Sequence, residues 1–84
     1  MEIHLQLYSV LRERLPAEAK GRAVLQLDEG AMLADILEMF DIHRRVVISV
    51  NNEHETDTAR SLSDGDEVKI FSSISGGLQV SLIE

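Results

Sequence analysis

Cysteine is absent from the 84 residues. That excludes disulfides, thiolate metal sites and any thiol nucleophile. Basic residues are scarce: eight Lys and Arg stand against 15 Asp and Glu, for a formal net charge of −7. Phosphate backbones are held by clustered Lys and Arg, so neither nucleic acid nor an anionic membrane surface is an expected partner. Protein partners with basic docking surfaces are expected instead, and solubility is the plainer role for the excess acid. No stretch approaches the roughly 18 apolar residues of a membrane-spanning helix. "MEIHLQLYSV" has no basic region leading into a long apolar run, so no signal peptide is expected and the expected location is cytoplasmic. A Gly-rich phosphate loop is missing too.

What is present fits one small α+β domain. Such a chain has no room for a deep enzyme cleft, which favours a carrier, adaptor or subunit. Residues 2–9 alternate, with Ile3, Leu5 and Leu7 on one face and His4, Gln6 and Tyr8 on the other. This is the period of a half-buried strand. Leu11 and Leu15 suit a short helical turn before Pro16, and the run to Gly21 reads as a loop. "RAVLQL" (22–27) reads as a second strand, paired with the first. From Met32 to Phe40 the period becomes helical, with Met32, Leu33, Ile36, Leu37 and Phe40 on one face. Met32 or Ala31 stands where a capping Ser, Thr or Asp is preferred, a loss of roughly 1 kcal/mol. "RRVVISV" (44–50) is a β-branched strand. Asn51-Asn52 suits a tight hairpin turn into a short strand at 54–57. Asp64-Gly65 turns into a last strand with Val68 and Ile70 inward and Lys69 and Phe71 outward. One helix across one face of a mixed sheet is a two-layer domain. It becomes a β-grasp if the first and last strands pair in parallel.

Candidate chemistry within the chain is thin. His4, His43 and His54 share no ligand spacing, so no metal site is expected. "SDGDEV", with Asp64, Asp66 and Glu67, lacks the length and spacing of a calcium loop and reads as a charged turn. Ser61, Ser63, Ser72, Ser73 and Ser75 have no evident His-Asp arrangement and read as loop polars. No catalytic residue is expected. Tyr8 and Phe71 fall on the outward parity of their strands. If those strands are neighbours, the two rings form one exposed apolar patch of the kind that marks a protein interface. A covering loop or tail is the alternative.

Beyond the last strand stands the pair Gly76-Gly77, followed by "LQVSLIE". With Leu62, Asp64 to Val68, Ile70 and Phe71, the pattern L-x-DGDEV-x-I-F…GG resembles the end of the MoaD/ThiS-type sulfur carriers. "LYSVLRE" (7–13) is similar to the family's first strand and short helix. "EGAMLADILEMF" (29–40) is similar to its strand-to-helix junction, and "VNNEHE" (50–55) to its hairpin turn. The resemblance spans nearly the whole chain and implies a ubiquitin-like β-grasp fold.

It also implies a carrier that is itself no enzyme. An activating enzyme uses ATP to adenylate the carboxylate of the final glycine, Gly77 with Gly76 before it. Sulfur then displaces AMP, leaving a thiocarboxylate for a sulfur-acceptor enzyme or synthase large subunit. No cofactor is held permanently. Tyr8, Phe71 and Ile74 are the expected partner contacts. "LYSVLRE" leans toward molybdopterin synthesis, with thiamine synthesis as the other pathway.

Two features depart from the family. "SSISGG" lacks the prolines that often stiffen the tail, and Gly77 is followed by seven residues, so it has no free carboxylate. The expected organisation is therefore a domain over residues 1–77 and an extension over 78–84 that a processing protease removes. Leu78, Val80 and Leu82 alternate with polar residues, so the uncut extension can pair as a strand. Its partner would be an edge of its own domain or, through residues 78–83, of a neighbouring copy. Two other functions share these features: a ubiquitin-like protein modifier, and a non-carrier accessory subunit in which the glycines act as a hinge.

Overall fold

The computed structural model describes residues 1–72. The alternating start of the chain forms β1 (Glu2–Leu7), with Ile3, Leu5 and Leu7 buried. Two 3₁₀ turns, Ser9–Arg14 and Ala17–Ala19, lead from it to β2 (Arg22–Gln26). There follow α1 (Leu33–Met39), β3 (Val46–Val50), β4 (Glu53–Glu55) and β5 (Glu67–Ser72). The sheet order is β2-β1-β5-β3-β4. β1 and β5 run parallel, with Leu5 opposite Val68 and Leu7 opposite Ile70. All other pairs are antiparallel.

The core lies between α1 and one sheet face. Leu33 and Ile36 from the helix meet Ile3, Leu5, Leu7, Ile48, Val50, Val68 and Ile70 from the strands, with Leu11, Ile42 and Leu62 closing its margins. Leu25, Leu27, Leu37 and Phe40 are half-buried around them. The arrangement is an α+β, ubiquitin-like β-grasp.

Local chemistry sets the ends of the elements. Asn51 and Asn52 take φ of 52° and 69°, the two positive values of a tight hairpin turn. β4 therefore begins at Glu53, one residue earlier than the pattern suggests. The helix is less poorly capped than its first residues imply. Asp35 Oδ2 accepts the Met32 backbone N–H at 2.7 Å, one half of a capping box. At the other end Asp41 adopts φ 55°. The Asp41 N–H donates to the Glu38 carbonyl and the Ile42 N–H to the Leu37 carbonyl, which is a Schellman closure. It stops the helix at Met39.

Candidate functional site

The parallel pairing of β1 and β5 carries one step past Leu7–Ile70 to bring Tyr8 beside Phe71. The Tyr8 N–H donates to the Ile70 carbonyl at 3.1 Å and keeps the register at that step. The two rings stack with centroids 4.2 Å apart and planes 13° from parallel. Such a contact adds about 0.5–1.5 kcal/mol beyond area burial. Phe71 is 36% exposed, and its neighbour across β3, Val47, is 41% exposed. Tyr8, Phe71 and Val47 form an apolar row on the face away from α1. The first two were legible from strand parity. Val47 was not singled out, although its β-branched side chain on the outward parity of "RRVVISV" was the available signal.

Residues 8–22 and 38–45 lie around this row. Their common placement follows from topology: β1 and β5 finish at this end of the sheet, and β2 and β3 begin there. These two segments hold six of the eight Lys and Arg residues but four of the 15 acids. Tyr8, Arg12, Lys20 and Arg22 border an open cleft beside the stack. Between Lys20 and Arg22, Gly21 has φ 80° and its carbonyl accepts the Leu7 N–H at 2.7 Å. A Cβ there would stand 2.5 Å from the Leu7 backbone oxygen, so only glycine fits.

The acidic run at the start of β5 is built into the fold. Asp66 is buried, and its carboxylate accepts the Ser63 N–H at 2.8 Å and the Asn51 side-chain amide at 3.0 Å. Asn51 in turn accepts the Glu67 N–H at 2.9 Å, and Asp64 accepts the Glu2 N–H at 2.6 Å. This run ties β5 to β1 and to the β3–β4 turn. His4 contacts Glu2 and His43 contacts Asp41, both at exposed positions. Among the described residues no group of three or more His, Cys, Asp or Glu is placed to hold a metal ion. Ile74, Gly76, Gly77 and the extension over 78–84 lie outside the described residues. β5 ends at Ser72, four positions before Gly76, at the basic end.

The fold and this end of the sheet define a small ubiquitin-like β-grasp protein. The chain belongs to the ThiS family, whose model matches residues 6–77. Members of that family are small carrier proteins rather than enzymes. Solved structures with the same fold include the HVO 2177 protein of Haloferax volcanii, at a TM-score of 0.73 and 21% identity over 92% of this chain and 87% of that one. The assigned subunit 1 of a molybdopterin converting factor from Pyrococcus furiosus matches at 0.70 and 20%, over 88% and 99% of the two chains. A complex of subunits 1 and 2 of the molybdopterin-converting factor from Helicobacter pylori matches at 0.61 and 16%, over 92% and 100%. At these identities the likeness is one of fold. No curated protein sequence matches the chain. No helix among the described residues is long and apolar enough to cross a membrane.

Proposed function

We propose that this protein is a sulfur carrier whose Gly77 bears the sulfur once residues 78–84 are removed. The observation that carries the reading is the family match, which runs from Leu7's neighbour Gln6 through the whole domain and stops at Gly77. A free carboxylate is a poor electrophile. In the proposed sequence a Gly77 carboxylate oxygen attacks the α-phosphorus of ATP held by an activating enzyme, and pyrophosphate leaves. Hydrosulfide then attacks the carbonyl carbon, AMP departs, and a thiocarboxylate remains. Two glycines suit this chemistry because a backbone without Cβ can thread a narrow channel. A chain without cysteine can perform it, since the sulfur rides on the terminal carbonyl carbon.

The molybdopterin pathway is the favoured destination. "LYSVLRE" supports it, as do the names of two solved relatives in fold, one of them in complex with a second subunit. The acceptor would then be a larger synthase subunit that receives the tail, with Tyr8, Phe71 and Ile74 in contact with it or with the activating enzyme.

Intact mass of the protein from its native cell tests the proposal. The expected species ends at Gly77, and a fraction of it carries sulfur in place of one carboxylate oxygen. In vitro, the chain ending at Gly77 is adenylated and the 84-residue chain is not. If the native protein keeps all residues after Gly77 while the pathway runs, the carrier reading fails and the accessory-subunit reading replaces it. Conjugates through lysines of other proteins would establish the modifier reading instead.

A further inference from the structure

Net charge misdescribes the end of this molecule that matters most. The two cations outside residues 8–22 and 38–45 both have internal partners: Arg60 reaches Glu55 at 3.2 Å, and Lys69 donates to Asn52 at 2.9 Å. Arg12, Arg14, Lys20, Arg22, Arg44 and Arg45 have no such partner among the described residues, in either ion pairs or side-chain hydrogen bonds. Their order across the sheet is informative. Arg22 opens β2, Tyr8 follows β1, Phe71 lies in β5, and Arg44 and Arg45 immediately precede β3. The exposed aromatic stack therefore has cations on both sides, across a width of three strand spacings, or about 14 Å.

We propose that this end is a docking surface for an acidic protein surface, with an apolar recess for the Tyr8–Phe71 stack and carboxylates on either side of it. The proposal rests on the carrier reading for the partner's identity, which is the enzyme that activates the Gly77 carboxylate. Charge complementarity selects the occupant. The basic end carries cations without partners among the described residues around an apolar centre, which suits a polar rim and a desolvated core. The six residues of β1 put roughly 20 Å between the ends of the sheet, more than two Debye lengths of about 8 Å at physiological salt. An approaching acidic surface is thus attracted by the local cations and repelled by the far, acidic end. The field orients the carrier so that the end from which β5 leads toward Gly77 arrives first. This reverses the basic partner surface that a net charge of −7 suggests.

The test uses the chain ending at Gly77 and the adenylating enzyme purified from the source cell, with binding and adenylation measured separately. R12E/R22E and R44E/R45E each raise Kd about tenfold or more, while E29K/E53K at the far end changes it less than about twofold. Wild-type binding weakens as salt rises, and circular dichroism confirms that every variant is folded. Equal losses from both ends, no loss from either basic pair, or absence of binding overturns the docking surface. So does tight binding of a short single-stranded oligonucleotide that R12E/R22E abolishes, which would reassign the cations to nucleic acid. Charge-dependent binding without adenylation leaves the surface standing and overturns the carrier reading. Adenylation with Kd indifferent to both basic pairs does the reverse.

Discussion

The two ends of the sheet use charge in opposite ways. At the end where β5 begins, carboxylates are bound by the chain itself. Asp64 and Asp66 each accept a backbone N–H, from Glu2 and Ser63 respectively. At the end where β5 finishes, cations stand in solvent without partners among the described residues. The first arrangement closes turns and sets strand starts. The second leaves unspent charge beside exposed aromatic rings. If the basic end is the proposed docking surface, architecture and recognition should be separable by mutation, and four measurements test this.

Gly21→Ala is the largest expected effect and the sharpest challenge to the comparison, because Gly21 is an architectural residue at the basic end. Positive φ and a Cβ 2.5 Å from a backbone oxygen cannot both be relieved by side-chain movement. A loss of about 2–4 kcal/mol is expected from urea unfolding. Unchanged stability would mean that the 3₁₀ connection is free to relax.

Asp66→Ala comes next. It removes the acceptor of two hydrogen bonds in a buried position, so a loss of about 2–3 kcal/mol is expected, with partner affinity kept in the folded fraction. Weakened docking by a fully folded Asp66→Ala protein would erase the division between the ends. Phe71→Ala should do the opposite: affinity for the activating enzyme or the sulfur acceptor falls by about 1–3 kcal/mol. Its stability cost combines the lost stack with the lost burial of a partly covered ring, about 2–3 kcal/mol, and the protein should stay folded. Collapse of the fold with unaltered affinity would place Phe71 in the core. The smallest effect belongs to Arg60→Ala. Its pair with Glu55 is partly exposed, and about 0–1 kcal/mol is expected from thermal unfolding. A larger loss would show that ion pairing, and not only hydrogen bonding to backbone, supports the chain that follows β4.

Much of the fold was legible because its signals are local. The alternation of Ile3, Leu5 and Leu7, the spacing of Leu33, Ile36 and Leu37 and the Asn51-Asn52 turn each reflect residues within a few positions of one another. The misreadings were also local. Asp35 reaches back to the helix start, and the chain from Ser9 to Ala19 tightens into two 3₁₀ turns instead of one helical turn and a loop. The run around Asp66 reads as a charged turn, and a charged residue between Gly65 and Glu67 gives no sign that Ser63 and Asn51 enclose it.

By itself the sequence determined the strand and helix periods, the outward parity of Tyr8 and Phe71, the absence of thiol chemistry, and the resemblance to the family that the match over residues 6–77 bears out. Tertiary structure alone decided that β1 and β5 are parallel neighbours. That one pairing turns two separate outward rings into a stack at 4.2 Å. It also decided where charge accumulates. Arg12, Arg22 and Arg45 are distant along the chain, and a sum over residues mixes them with every acid. Strand direction gathers them at one end, because charge acts through distance in space and is screened within about 8 Å at physiological salt.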